Sequence, residues 1–181
     1  MHEKMMGDNK RIAPLRNVAA LAELIERCQT RQPDLPGMAV FYGYSGFGKT
    51  KAACYATNSY QAVYVEVGGS WTKKKLCRAI LEEAAVMPAA TIADMVDQIG
   101  EFLAINDVPL IVDEADILLK GGMIEIVREI HKISEVPVIL IGEEGFPTDL
   151  EAIERVHGRM LDWVRAAPGT LKAVQILQRI Y

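Results

Sequence analysis

The sequence has few of the residues from which metal sites and disulfide frameworks are built. Its 181 residues include three cysteines and three histidines, which are widely separated. Isolated residues of these kinds favour neither a zinc site nor a set of disulfides. No apolar run approaches the roughly 20 residues that a helix needs to cross a bilayer, and residues 1–11 lack the apolar core of a signal peptide. These absences predict a cytoplasmic protein with no membrane contact.

An excess of positive charge is also missing. The chain has 20 Lys and Arg residues against 24 Asp and Glu residues, which gives a formal net charge of -4. A protein that covers nucleic acid with its whole surface is usually basic, so any binding to DNA must come from a local patch. Hydrophobic residues make up 50% of the chain, which is sufficient for one α/β domain with a buried core.

Short apolar runs alternate with segments of helical periodicity along the chain. The runs are apolar throughout, as is typical of parallel strands that are buried on both faces, and lie at residues 38–42, 62–67, 109–112 and 137–141. The apolar spacing between and around them predicts helices at residues 14–27, 51–57, 72–85, 91–104 and 123–134. This alternation predicts an α/β fold with a parallel sheet covered by helices.

Two interpretations stay open for the segment after Pro147. The apolar residues between 153 and 164 fit one face of a helix, whereas residues 161–166 fit a fifth strand that follows a helix break at Gly158. Pro168 and Gly169 mark a boundary. The last segment, residues 170–181, has the spacing of an amphipathic helix.

The most specific motif is a glycine loop, residues 43–50, between the first predicted strand and the following helix. It has the pattern of glycine, four residues, glycine, lysine and threonine that binds phosphates through backbone N–H groups at a helix N-terminus. Lys49 is predicted to reach the β- and γ-phosphates of ATP, and Thr50 to bind Mg²⁺. The predicted nucleotide-binding residues are Gly43, Tyr44, Ser45, Gly46, Phe47, Gly48, Lys49, Thr50 and Lys51.

An acidic pair ends the third predicted strand. Asp113 is placed at the carboxyl edge of the sheet, beside the glycine loop, where its carboxylate can hold Mg²⁺ directly or through water. Glu114 is placed to polarise the attacking water. Kinases of small molecules need no such residue, so the pair favours hydrolysis of ATP over that alternative.

A cluster of cations at the start of a predicted helix is the candidate DNA contact. Lys73, Lys74, Lys75 and Arg78 follow Trp71 closely. Cations at a helix N-terminus oppose the helix dipole, so folding alone does not favour them, whereas contacts with DNA phosphates explain them. A solvated helix face is the alternative.

The glycine loop and the acidic pair together resemble those of the AAA+ ATPases. Similarity in residues 12–18, 42–50, 63–67, 70–72 and 138–144 narrows the resemblance to the B subunits of Mu-type and related transposition systems. The resemblance implies a P-loop NTPase with an AAA+ core, built on a five-stranded parallel sheet flanked by helices, and a truncated or minimal C-terminal helical lid. The implied layout is a flexible arm at 1–11, an ATPase core at 12–167 and the start of the lid at 168–181.

The resemblance also implies a function and partners. Members of that family bind double-stranded DNA, self-associate into ATP-dependent oligomers or filaments, and activate a transposase. Asn17 and Val18 are expected to border the adenine. Arg155 or Arg159, which helical spacing puts on one face, is expected to act on a neighbouring subunit's ATP. The alternative is an ATP-driven switch or loader that acts on a protein partner without contacting DNA.

One position departs from the family pattern. Where these proteins commonly have Asn, Thr or Ser at the end of the fourth strand, this chain has Glu143 and Glu144. A carboxylate there would repel the γ-phosphate unless it is protonated, paired or turned away. The departure predicts slow hydrolysis in the absence of DNA or a partner.

Overall fold

Five parallel strands run through the middle of the molecule in the spatial order β2-β3-β4-β1-β5. The computed structural model describes residues 16–168 of the chain. The strands are β1 (Met38–Tyr42), β2 (Val63–Glu66), β3 (Leu110–Asp113), β4 (Val138–Gly142) and β5 (Met160–Arg165). The helices are α1 (Arg16–Gln29), α2 (Lys49–Tyr60), α3 (Lys73–Glu83), α4 (Ile92–Asn106), α5 (Met123–Ser134), α6 (Phe146–Glu151) and α7 (Glu154–His157), with a 3-10 segment at Ala115–Gly122.

The strand residues alternate between two hydrophobic clusters, one on each face of the sheet. Val112 of β3 packs in the cluster that contains residues of α3, α4 and α5, whereas its neighbour Ile111 packs in the cluster that contains residues of α1 and α2. Because successive side chains of a strand point to opposite faces, a strand covered on both sides has to be apolar throughout. The predicted parallel sheet flanked by helices is therefore confirmed.

The strand register brings the functional loops to one edge. Tyr42 pairs with Gly142, and Glu66 pairs with Asp113, so the carboxyl ends of neighbouring strands are level. The glycine loop follows β1 at this edge, and the predicted acidic residues lie at the end of β3. Open parallel sheets commonly bind ligands at this edge.

The region after β4 settles the interpretation that the sequence left open. Residues 160–165 form a strand that pairs with β1, and α7 ends at His157, before Gly158. The interpretation with a fifth strand is confirmed, and one continuous helix is wrong. Helix α6 was missed because Pro147 indicated a boundary, although proline is well tolerated in the first turn of a helix.

The described residues bear on two further predictions only in part. The amphipathic helix predicted over 170–181 lies outside the described residues. Among residues 16–168, none of the helices is both long and apolar enough to cross a membrane.

Candidate functional site

The glycine loop joins β1 to α2 at the carboxyl edge of the sheet; residues 43–50 are called the phosphate loop from here on. Gly46 has φ 84° and Gly48 has φ 82°, and a Cβ at either position would meet nothing within 4 Å. The left-handed backbone conformation, rather than crowding, therefore favours glycine there. Gly48 is also the N-cap of α2 and gives no side-chain cap, which leaves first-turn amides available to an anion.

Lys49 lies under this loop and is buried. Its Nζ donates hydrogen bonds to the carbonyl oxygens of Gly43, at 2.6 Å, and Tyr44, at 3.1 Å. The same Nζ is 3.6 Å from Oε1 of Glu143 at the end of β4. A buried ammonium needs such partners, and they hold the cation where phosphates would meet the loop.

The other predicted loop residues are more exposed. Ser45, Thr50 and Lys51 are exposed. Tyr44 is 53% exposed and packs edge-on against the half-buried ring of Phe47, with ring centroids 5.7 Å apart. These side chains leave the mouth of the loop open to solvent.

Two elements bring together a hydroxyl and a carboxylate beside the loop. Thr50 Oγ1 donates a hydrogen bond to Oδ2 of the buried Asp113, at 2.9 Å. Oxygen ligands of these types are the ones that Mg²⁺ accepts, so the donor set fits this ion. The predicted proximity of Thr50 and Asp113 is observed, although their binding of Mg²⁺ stays a prediction.

Tyr64 is a member of this group that sequence reasoning missed. Its hydroxyl donates to the same Asp113 Oδ2 at 3.0 Å, and burial together with the Asp113 charge raises the pKa of Tyr64. Nothing in the local sequence of β2 indicated this role. It depends on β2 lying beside β3.

Glu114 follows Asp113 in a left-handed conformation with φ 55°. That conformation is uncommon for a residue with a side chain, and here it turns the chain from β3 into the 3-10 segment. The exposed Glu114 carboxyl has a raised pKa because of partial burial and the nearby charges of Asp113 and Glu143. A carboxylate so placed can accept a hydrogen bond from an attacking water.

Asp116 connects the 3-10 segment to the end of β4. Its Oδ2 accepts a hydrogen bond from the backbone N–H of Glu143 at 2.9 Å. A Cβ at Gly142 would lie 2.4 Å from the ring of Phe146 and 2.9 Å from Asp116 Oδ2, so this approach requires glycine. Burial is the main reason why the pKa of Asp116 is raised.

The unusual carboxylates at the end of β4 are both paired. Glu143 faces Lys49, as described above, and Glu144 Oε1 lies 2.6 Å from a guanidinium nitrogen of Arg165. That guanidinium also lies over the ring of Tyr44, 5.7 Å from its centroid. The sequence left three possibilities for a carboxylate here, which were protonation, pairing with a cation or an orientation away from the γ-phosphate. Pairing with a cation is the one observed.

Asn17 of α1 forms hydrogen bonds that connect the phosphate loop to the residues following β5. Its amide nitrogen donates to the carbonyl oxygens of Phe47, at 2.7 Å, and Ala167, at 2.8 Å, and its Oδ1 accepts the Ala167 N–H at 2.8 Å. Val18 is buried in the hydrophobic cluster that contains residues of α1 and α2. These contacts give Asn17 a positioning role, and contact of either residue with an adenine stays a prediction.

The predicted shared helical face of Arg155 and Arg159 is wrong. Arg155 lies in α7, but this helix ends at His157, and the Arg159 carbonyl oxygen accepts the Met38 N–H at 3.1 Å just before β5. Spacing alone suggested one helix because the start of β5 had no distinct pattern. Both arginines are exposed, and the action of either on a neighbouring subunit stays a prediction.

The predicted DNA patch divides into two parts. Lys75 and Arg78 both approach Glu82, at 3.7 Å and 3.8 Å. Lys73 and Lys74 are exposed and make no ion pair with any residue in 16–168. The second pair is therefore the more available to an external anion.

Comparisons with known proteins agree with this geometry. A family model described as an AAA domain matches residues 31–149. The Aeropyrum pernix ORC1 protein in complex with DNA has 22% identity and a TM-score of 0.68, over 94% of this chain and 50% of that chain. The Aeropyrum pernix ORC2 protein in ADPNP-ADP complexes has 15% identity and a TM-score of 0.72, over 96% of this chain and 54% of that chain.

A third structure is the Walker-type ATPase of Pyrococcus abyssi, with 16% identity and a TM-score of 0.60, over 88% of this chain and 56% of that chain. The present chain thus spans about half the length of these structural relatives. At identities this low, the structural similarity shows a shared fold and nothing more. Comparison with curated proteins gives no match.

Proposed function

Because the chain belongs to the AAA domain family, we propose that it binds Mg·ATP at the phosphate loop and hydrolyses it. The observation that carries this proposal is the hydrogen bond from Thr50 to Asp113 beside the loop that holds Lys49. Lys49 and the loop amides would bind the phosphates, and Thr50 and Asp113 would hold Mg²⁺. The ion would neutralise charge on the transferring phosphoryl group.

Hydrolysis is assigned to Glu114 and to an arginine from a neighbouring subunit. Glu114 would orient the attacking water. Its backbone N–H donates to Oδ1 of the proposed metal ligand Asp113 at 2.9 Å, and burial together with the Asp113 charge raises the pKa of the Glu114 carboxyl. A guanidinium supplied in trans raises phosphoryl-transfer rates by roughly 10³–10⁵. Arg155 and Arg159 are both exposed, and the use of either would make hydrolysis depend on assembly.

We further propose that the protein oligomerises on double-stranded DNA and acts in DNA transposition, by selecting target DNA and activating a transposase. The resemblance to Mu-type B subunits motivates the transposition role. The exposed Lys73 and Lys74, and the fold shared with an ORC1 protein solved in complex with DNA, support the DNA contact. In this proposal residues 12–167 are the ATPase core. The arm predicted at 1–11 lies outside the described residues, as does the lid predicted at 168–181 except for Pro168.

The test measures ATP hydrolysis with and without long duplex DNA while particle size is followed by light scattering. We expect ATP to produce large particles on DNA and DNA to raise the turnover rate. A protein that binds ATP but stays monomeric and ignores DNA would contradict the DNA role. The switch acting on a protein partner would then be the better explanation.

A variant locates the DNA contact. Replacing Lys73, Lys74 and Lys75 with Ala should flatten the salt dependence of DNA binding, because each phosphate contact contributes about 0.9 to the slope of log K against log salt concentration. Affinity for ATP should not change. Unaltered DNA binding would show that the contact lies elsewhere on the protein.

A further inference from the structure

A cavity of about 420 Å³ lies beside the start of α3, and none of its lining residues belongs to the phosphate loop. It is lined by three lysines, Lys73, Lys74 and Lys120, and by the half-buried Trp71. We call it the lysine cavity. Lys120 comes from the 3-10 segment, and sequence reasoning did not connect it with the cluster in α3.

The positive charge of the lysine cavity is not balanced by acidic residues among 16–168 that line it. No Asp or Glu of the described part of the chain lines it, and its three lysines are in none of the ion pairs found there. Of the acidic residues in the first turns of the adjacent helices, Glu125 is paired with Arg128 at 2.6 Å. Asp94 accepts the Thr91 hydroxyl at 2.5 Å, a contact that orients its carboxylate without neutralising it.

The backbone adds to the positive potential. The walls include the N-cap of α3 at Thr72, the first residue of α4 at Ile92 and the first residue of α5 at Met123. Each helix N-terminus has a partial positive charge, so residues from three helix N-termini and three lysines line one space. Such an arrangement is unfavourable for the protein alone and favours binding of a polyanion.

Lys120 lies in a short segment that contains Asp116 and directly follows Glu114. The 3-10 segment begins at Ala115, directly after Glu114, and Asp116 within it accepts the Glu143 N–H. Its far end, Lys120 and Gly121, lines the cavity, and there the backbone departs from helical geometry, with ψ 131° at Lys120 and φ 64° at Gly121. Lys73 Nζ approaches this end, within 3.7 Å of the place of a Cβ on Gly122.

We propose that the lysine cavity binds the phosphate backbone of DNA through Lys73, Lys74 and Lys120, and that this contact fixes the 3-10 segment and thereby positions Glu114 for hydrolysis. The inference rests on the proposed ATPase and DNA-binding function and adds the route by which one stimulates the other. Lys120 is a positioning residue in this scheme, since it does not touch the nucleotide.

The test replaces Lys120 with Ala, with Lys132→Ala as the matched control. Lys132 is an exposed lysine of α5 that lies outside the cavity. We expect Lys120→Ala to reduce the salt slope of DNA binding by about 1, and to lose most of the stimulation of hydrolysis even at saturating DNA. The affinity for ATP should stay as in the wild type, and the control should keep all of these properties together with basal hydrolysis.

The readouts separate the parts of the proposal. A wild-type salt slope and stimulation in Lys120→Ala would overturn it. A reduced slope with full stimulation would keep the phosphate site and overturn the coupling. If the wild-type protein binds no duplex DNA, the proposed DNA role fails. The cavity is then tested by binding of long-chain inorganic polyphosphate at saturating ATP. Equal polyphosphate affinities of Lys120→Ala and Lys132→Ala would show that the cavity is not an anion site.

Discussion

The phosphate loop and the lysine cavity are two positively charged regions whose charge is compensated differently. Lys49 is buried and has two carbonyl oxygens and the Glu143 carboxylate around its ammonium group. The lysines of the cavity are exposed, and no carboxylate of the described residues lines that space. A buried charge needs internal partners for the fold to be stable, whereas exposed lysines remain hydrated until an external anion binds.

This difference has a consequence for binding. A ligand of the phosphate loop has to compete with Glu143, a group of the protein itself. A ligand of the lysine cavity has only water and salt ions to displace, so its affinity should depend steeply on ionic strength. Changing the charge at one region or the other therefore tests this difference.

The largest effect is expected from Glu114→Gln, at the acidic side of the phosphate loop. The amide keeps the size of the side chain but cannot accept a proton from water, and general base catalysis is worth ~10²–10⁴ in rate. Single-turnover hydrolysis should slow by that factor while ATP affinity is retained.

Glu66→Gln is the control for this change. Glu66 is exposed at the end of β2, paired in register with Asp113, so the same charge is removed close to the same metal ligand. Its rate should stay within about twofold of the wild type, since exposed charges are screened by solvent. Equal losses in both variants would show that local charge, and not the Glu114 carboxylate, supports hydrolysis.

An intermediate effect is expected from Thr72→Asp, which gives the lysine cavity the carboxylate that it lacks. Thr72 Oγ1 accepts the Lys75 N–H as the N-cap of α3, at 3.3 Å, and Asp caps a helix at least as well as Thr. The melting temperature should therefore hold or rise slightly. Affinity for DNA should fall, and the salt slope should decrease by about 1, as for one lost phosphate contact.

Thr72→Asn separates charge from shape in that experiment. Asn also caps helices well and adds no charge, so DNA binding should stay close to that of the wild type. Should Asp and Asn weaken DNA binding equally, the hydroxyl of Thr72 would be the important group, and the electrostatic account of the lysine cavity would be wrong.

The two regions also differ in how far the sequence predicts them. The phosphate loop is contiguous, so its spacing predicts the chemistry of Lys49 and Thr50 without knowledge of the fold. Asp113 could be placed beside it because parallel strands end at one edge of a sheet. The lysine cavity joins α3 to a segment more than forty residues later, and local patterns do not show that Lys73 and Lys120 meet.

The same distinction explains the other outcomes. The contacts of Tyr64 and Asp116 depend on which strands are neighbours, here β2 with β3 and β3 with β4, and the sequence does not fix that order. Residues 153–164 have apolar spacing that fits a helix or a strand. Pairing with β1 makes residues 160–165 a strand. Because the helix ends at His157, Arg155 and Arg159 do not share a helical face.

The smallest effect is expected from Glu143→Gln, which makes the phosphate loop more like the lysine cavity. Lys49 Nζ lies 3.6 Å from Glu143 Oε1, but the Glu143 side chain is 47% exposed. Ion pairs with such access to solvent contribute about 0–1 kcal/mol. Removing the competing charge should tighten ATP binding by about two- to fivefold, most strongly at low salt. The backbone hydrogen bond to Asp116 does not depend on the side chain and should persist.

Titration of ATP by calorimetry measures this change, and Glu151→Gln, which removes an exposed carboxylate from α6, is the control for net charge. If both variants bind ATP alike, the gain reflects overall charge and not release of Lys49. Weaker binding in Glu143→Gln alone would mean that the Glu143 carboxylate helps to hold the nucleotide or its metal ion. The phosphate loop would then have no internal competitor, and its contrast with the lysine cavity would be one of burial only.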